Sequence, residues 1–392
     1  MKKLQKILHY IKSSKYLLCL VSLFSLSLLL NLLAFNEDFC NGYTNTVYAV
    51  LSDFFGRSTN ILPFSLGEIF MYVGGIFLLL SFSFALLLFP FKKSRGYARF
   101  TKIYFKSLPL VCTCFLLTYT LQWGIPFRSS LLGESGHFEK EYSTENLRAL
   151  WLDTVNHLNE ACRQVPRDED GHIIFDTKEN TEQKTIEAMK AISDRYPRLK
   201  GFYPTIKPAL CSDVLRWMDI GGYTYPYTME ITYNKYITSL YFPSLYAHES
   251  AHHQGYYQEN EANFLSYLAC SGSSDPVLRY SAFHTIFFYI DDAYVSALSS
   301  PDIDKSLIEE YRNTRLDAQI ALDEKEERKK VEKSYSSTSH PLQKYSDVAE
   351  NAADVGWSTQ SDVLKENGYD GVVQLLLEYY DTSSQTESFP TH

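Results

Sequence analysis

Three uninterrupted apolar runs near the amino terminus constrain this chain more than any other feature. A helix needs about 20 residues to cross the hydrocarbon core of a bilayer. The stretches Tyr16 to Phe35, Ile69 to Phe89 and Leu108 to Ile125 reach or approach that length, and none carries a charge. Each predicts a transmembrane helix, and residues 1–125 together predict a membrane domain. The first run exceeds a signal-peptide core and has no small-residue cleavage site close behind it. It is therefore expected to remain as an anchor.

The placement of Lys and Arg sets the expected orientation. Lys2, Lys3, Lys6, Lys12 and Lys15 precede the first run, and Lys92, Lys93, Arg95, Arg99, Lys102 and Lys106 precede the third; the 36–66 loop between the first two has only Arg57. Basic segments stay on the cytoplasmic side. A multi-pass protein of the cell membrane is expected, with its amino terminus in the cytoplasm and residues 126–392 forming an extracytoplasmic domain. The lipid bilayer is the expected partner. A net charge of -9, with basic clusters only beside apolar runs, argues against a nucleic-acid partner. The seven cysteines include no C-x-x-C pair, so neither a thiolate metal site nor a disulfide scaffold is indicated. Cys162, Cys211 and Cys270 share the polar part of the chain, where one disulfide could form.

Beyond residue 126 the patterning is mixed. Thr144 to Arg198 spaces Leu147, Leu150, Leu152 and Leu158 as helices do. Ile220 to Tyr241 is rich in Tyr, Thr and Ile, with two glycines and a proline, as in short strands or a hairpin. Helices are expected from Pro243 to a stop at Gly255, from Glu259 to Cys270, from Tyr280 to Leu298 and, with alternating charges, from Lys305 to Glu332. Ser334 to Ser339 reads as a connection, and Trp357 to Tyr380 as two helices broken at Asn367-Gly368. The expected class is α+β, mainly α, with a small β element. Residues of about 220–298 would form the core around a metal site, and 305–380 a helical carboxy-terminal part.

The segment His248-Glu249-Ser250-Ala251-His252 lies in one of these helices. Four residues advance a helix by about 400°. The two imidazoles therefore share a face one turn apart and can bind one Zn2+. Glu249 lies beside such a metal without ligating it. As general base it can take a proton from metal-bound water and support hydrolysis of a carbonyl compound. The competing reading is a helix with two satisfied histidines on its surface.

A hydrolytic zinc needs a third protein ligand and an open position. Glu259 and Asn263 are i and i+4 on the following helix, and Gly255 lets the chain reverse between the two helices. Glu259 is the expected third ligand, with Asn263 hydrogen-bonding a ligand from behind. Glu261 is its competitor, although it projects from nearly the opposite side of the helix. His253 points about 100° away from His252 and is not expected to touch the metal. Arg279, Tyr280 and His284 are candidates to stabilise an oxyanion, with packing or surface roles as the alternative.

A helix-borne H-E-x-x-H followed by Glu-x-x-Ala-Asn (Glu259 to Asn263) resembles the gluzincin metallopeptidases. The resemblance implies a zincin-like metallopeptidase domain with one Zn2+ per chain on His248, His252 and Glu259, Glu249 as base, and a peptide or protein substrate. It also implies that the strand region Tyr225 to Asn234 holds substrate backbone by edge pairing. The short gap containing Gly255 departs from most gluzincins, and Gln258 stands where metzincins place their third ligand. The chain is also similar to domain-of-unknown-function family 3810, a family of bacterial multi-pass membrane proteins. The matching pieces are Pro63 to Glu68, Tyr225 to Glu230 with Asn234, His248 to Phe264, Arg279 to Ser281 and Val363 to Gly368. The expectation is thus a membrane-anchored zinc metallopeptidase. Its rival is a non-catalytic or weakly catalytic membrane sensor or scaffold that retains the same fold.

Overall fold

The computed structural model describes residues 14–91, 93–129, 132, 142–340, 343, 346–349 and 370–384. The chain divides into two compact units, Met1–Ser129 with Tyr225–Glu230, and Ser130–Thr224 with Ile231–His392.

In the first unit, α1 (Lys15–Leu33) is followed by α2 (Glu37–Tyr43), a π-helical turn (Thr44–Tyr48), α3 (Ala49–Asn60), α4 (Leu66–Phe91) and α5 (Arg95–Tyr119). Lys15–Leu33, Leu66–Leu87 and Arg95–Arg128 are long and apolar enough to cross a membrane. Their large apolar side chains, among them Phe24, Leu28, Leu79, Phe82 and Ile103, are exposed. That is the reverse of a water-soluble core and matches a lipid solvent. Polar groups within these helices find one another. Asn31 Nδ2 donates to Thr120 Oγ1 at 2.8 Å, and the Ser81 and Tyr104 hydroxyls lie 2.6 Å apart. Such pairs join helices where no water can satisfy them.

Two expectations need correction here. The 36–66 loop is largely helical, started by Asn36, whose side chain accepts from Phe39 N at 2.7 Å. The basic stretch Arg95 to Lys106, read as loop, is the first half of α5. Apolarity marks only the part of a helix that lies in hydrocarbon; long Lys and Arg stems let the same helix continue into the polar interface.

The excursion Tyr225–Glu230 belongs to this unit through specific contacts. The Glu230 carboxylate, 1% exposed, accepts from Leu66 N at 3.1 Å and Gly67 N at 2.8 Å, capping α4 where the helix dipole favours negative charge. Thr59 Oγ1 donates to Thr228 O at 3.1 Å. A Cβ on Gly67 would stand 2.5 Å from the Tyr225 ring, so only glycine lets the two segments meet. The pieces Pro63 to Glu68 and Tyr225 to Glu230 are thus contact partners.

The second unit contains α6 (Thr144–Gln164), α7 (Lys178–Ala191), α8 (Ser212–Trp217), α9 (Phe242–His253), α10 (Glu259–Ser271), α11 (Pro276–Leu298), α12 (Lys305–Asn313), α13 (Ala318–Ser336) and α14 (Asp370–Ser384). Helix α6 starts at a reciprocal cap: Ser143 Oγ accepts from Asn146 N, and Asn146 Oδ1 accepts from Ser143 N. It then buries Leu150, Trp151, Val155, Leu158, Ala161 and Cys162 on one face. This helical spacing meets α11, α10 and α14 in one core with Leu265, Ile286, Ile290 and Leu376. A three-stranded sheet, ordered β1-β3-β2, is built from β1 (Lys207–Pro208), β2 (Gly222–Tyr225) and β3 (Glu230–Tyr233), with β1 parallel to β3.

The charged stretch Lys305 to Glu332 is two helices rather than one. Asp317 accepts from Gln319 N at 3.1 Å to start α13, and its own N–H donates to Asn159 Oδ1 at 2.6 Å, which holds the break against α6. Helix α13 then runs through the expected connection as far as Ser336. No disulfide joins Cys162, Cys211 or Cys270. The break at Asn367-Gly368 and the piece Val363 to Gly368 lie outside the described residues.

Candidate metal centre

Helix α9 carries Pro243 in its first turn, where a missing N–H costs nothing. Leu245, Ala247 and Ala251 are buried. Ser266 Oγ on α10 donates to Ser244 O at 2.8 Å, and the Ser244 and Ser281 hydroxyls lie 2.8 Å apart. These bonds tie α9 to α10 and α11 at the start of α9.

The other end of α9 is set by Gly255, whose φ of 93 is costly for any residue with a Cβ. Tyr256 N donates to Ala251 O at 3.0 Å and Gly255 N to His252 O at 3.0 Å, the paired bonds of a Schellman turn. The same turn aims the Tyr256 carbonyl back at α9, where it accepts from His252 Nδ1 at 2.8 Å. Helix α10 begins three residues later with Glu259 in its first turn.

This corner brings three of the sequence-predicted residues together. One ligand atom from each of His248, His252 and Glu259 lies within 4.8 Å of the others. His248 Nε2 is 3.2 Å from Glu259 Oε2, and His252 Nε2 is 3.6 Å from Glu259 Oε1. Bonds of about 2.0–2.2 Å at tetrahedral angles would place neighbouring ligand atoms roughly 3.3–3.6 Å apart. The spacing therefore suits a small divalent cation.

The far sides of both rings are also occupied. His248 Nδ1 lies 2.8 Å from Asn263 Oδ1, and a main-chain carbonyl faces Nδ1 of His252. Those oxygens only accept, so each Nδ1 carries a proton, and with a cation bound each ring would be neutral and offer it the lone pair of Nε2. A ligand histidine held in one tautomer by an acceptor behind it is the arrangement that metal sites use. The donor set fits a zinc ion: two neutral imidazoles and one carboxylate leave a bound dication with net positive charge.

The electrostatics agree. Burial works against a charged His252, yet Glu259 outweighs it and pushes the imidazole up to about 9. Burial likewise opposes the Glu259 carboxylate, but His252 and His248 hold it well below the ordinary range. Without a cation the pair is an imidazolium beside a carboxylate, and a cation bound there would displace the His252 proton.

Glu249 and Glu261 stand elsewhere. Glu249 is 3% exposed, and burial raises its carboxyl above the usual range against the pull of His252 and His248. Thr224 Oγ1 is 3.0 Å from Glu249 Oε2 and 2.9 Å from Glu249 O. Glu261 faces away from the cluster, where its carboxylate accepts from Leu132 N at 2.6 Å; burial pushes it up to about 8. Glu259, not Glu261, converges with the histidines.

Arg279, Tyr280 and His284 do not join the cluster. Arg279 donates to Ser273 O and Gln164 Oε1, Tyr280 to Asp323 Oδ2 at 3.0 Å, and His284 lies 2.9 Å from Glu324. The sequence reading missed the Tyr256 carbonyl and the strand residues Gly222 and Thr224. Only the turn glycine signalled the first. Nothing in the sequence tied β2 to Glu249.

Similarity supplies the family and no activity. The model of the family described as "Protein of unknown function (DUF3810)" matches residues 43–372, and the chain belongs to that family. No curated protein and no solved structure matches it.

Proposed function

We propose that this chain is a membrane-anchored zinc-dependent hydrolase, a peptidase, with His248, His252 and Glu259 as ligands of one zinc ion and Glu249 as general base. The observation that carries the reading is the convergence of those three donor atoms with both histidine Nδ1 atoms already engaged. A zinc ion held there would make a water acidic near neutral pH and polarise a carbonyl. Glu249, one position along α9 from His248, takes the proton from the attacking water and returns it to the leaving group. Its raised affinity for a proton, caused by burial, suits both transfers. Of the segment Tyr225 to Asn234 expected to pair with substrate, β3 is the central strand; β2, which ends at Tyr225, is at the edge of the sheet beside Glu249, where an extended peptide can pair its backbone. The distribution of basic residues supports a cytoplasmic amino terminus and an extracytoplasmic catalytic unit.

The detergent-solubilised full chain should bind about one zinc, and His248→Ala or His252→Ala should lose it. Glu249→Gln should keep the zinc and lose cleavage of a fluorescence-quenched mixed peptide pool by about 100-fold or more. A chain that binds no zinc would sink the proposal. Zinc binding without cleavage in the unaltered chain would leave the sensor or scaffold reading in its place.

A further inference from the structure

Strand β2 alternates its side chains, so Gly222 and Thr224 share one face, and both meet Glu249. A Cβ on Gly222 would stand 2.8 Å from Thr232 O and 3.4 Å from both Cγ and Oε1 of Glu249. Glycine therefore lets β2 lie close over the carboxylate. Two residues on, the Thr224 hydroxyl sits 3.0 Å from Oε2 and 2.9 Å from the main-chain O of the same glutamate. Thr224 and Glu249 are 5% and 3% exposed, so water does not compete for these bonds.

We infer that Thr224, set in place by Gly222, is the positioning residue for Glu249 and holds its carboxyl group against the β2 face. The inference rests on the hydrolase reading above. A threonine hydroxyl has one proton to give and lone pairs to accept with. That hydroxyl lies within reach of both Oε2 and the main-chain O of Glu249, so it ties the carboxyl group to the glutamate's own backbone at a face closed to water. Valine has the same shape and makes no such tie.

The test uses the full chain in detergent and the fastest-cleaved member of the quenched peptide pool. Thr224→Val should lower kcat by about 10- to 100-fold. KM should stay within about twofold and zinc content should not change, because the metal ligands are untouched. Thr224→Ser should recover most of kcat, a rescue that a purely packing role would not give. An unchanged kcat in Thr224→Val, or a loss that serine does not restore, overturns the inference. A crystal structure of Thr224→Val decides the point without turnover: the carboxyl should leave the Gly222–Thr224 face, and should stay there in Thr224→Ser. A carboxyl that stays put in the valine variant overturns the inference. Failure of the hydrolase reading looks different, because the unaltered chain would then bind no zinc or cleave none of the pool, while the Thr224→Val structure still reports where the carboxyl sits.

Discussion

Two polar clusters of the second unit each set a carboxylate among nitrogen-bearing side chains and end in opposite states. In one, Asp323 takes both Nη atoms of Arg167 at 2.7 and 2.8 Å and also accepts from Tyr280 Oη and Gln319 Nε2 at 3.0 Å each. Every lone pair is spent on a neighbouring donor, and the opposite charges close on each other. In the other, the bonds behind His248 and His252 occupy only the far nitrogens. Two nitrogen lone pairs and a carboxylate face one point. A closed network supplies rigidity; a convergent one leaves donor capacity for a ligand. Reactive residue types do not separate these outcomes. The direction of their hydrogen bonds does.

Variants can break this contrast from either side. The largest stability effect is expected from Asp323→Ala, which strands the mostly buried Arg167 guanidinium without a partner. Breaking a buried pair in this way costs about 3–5 kcal/mol, visible as a lower urea midpoint. Zinc content per folded chain should not change. If it falls with stability, the two clusters are not independent and the contrast fails.

Asn263→Ala acts on the convergent side. It removes the acceptor behind His248 while leaving all three ligands in place. Zinc affinity should fall about 10- to 100-fold, measured by competition with a chromophoric chelator. Stability of the metal-free chain should change little. An unchanged affinity would show that the orientation of His248 does not matter.

Glu182 on α7 sharpens the contrast with a buried acid of a third kind. Burial pushes its carboxyl up to about 7, against the Ile206 N–H and nearby Lys178, from an ordinary value of 4.5. Between these values the folded chain keeps a proton that the unfolded chain has released. Stability therefore falls as pH rises through this window, and the loss is complete above the folded value. Glu182→Gln should remove that slope, gaining about 1–3 kcal/mol at pH 8 relative to the parent and almost nothing at pH 4. Parallel urea titrations at the two pH values measure it. Equal gains at both would mean that the carboxyl does not titrate on unfolding.

Much of the site was legible because its signals are local. His248 and His252 share a face by helix periodicity alone, and Gly255 announced the turn. The pairing of Glu259 with Asn263 followed from the same arithmetic one helix later. Where a residue's role depends on an element distant in sequence, legibility ended. Tyr280 and His284 follow the ligand helix closely, yet α13 supplies their partners Asp323 and Glu324. Thr224 precedes Glu249 by 25 residues, and only sheet packing brings its hydroxyl to the carboxylate. The membrane spans were readable as apolar length, but their helical ends were not. Hydrophobicity reports the solvent around a segment rather than where its backbone stops coiling.

By itself, then, the sequence determined three apolar helices of membrane-spanning length and two histidines one turn apart, because length, apolarity and periodicity are properties of a contiguous segment. Tertiary structure decided between Glu259 and Glu261 at those histidines and brought the expected Asn263 to Nδ1 of His248, and it alone put the Tyr256 carbonyl behind His252. It also decided that β2 closes over Glu249. Each of these depends on which surfaces of separate elements are pressed together as the core of the second unit forms.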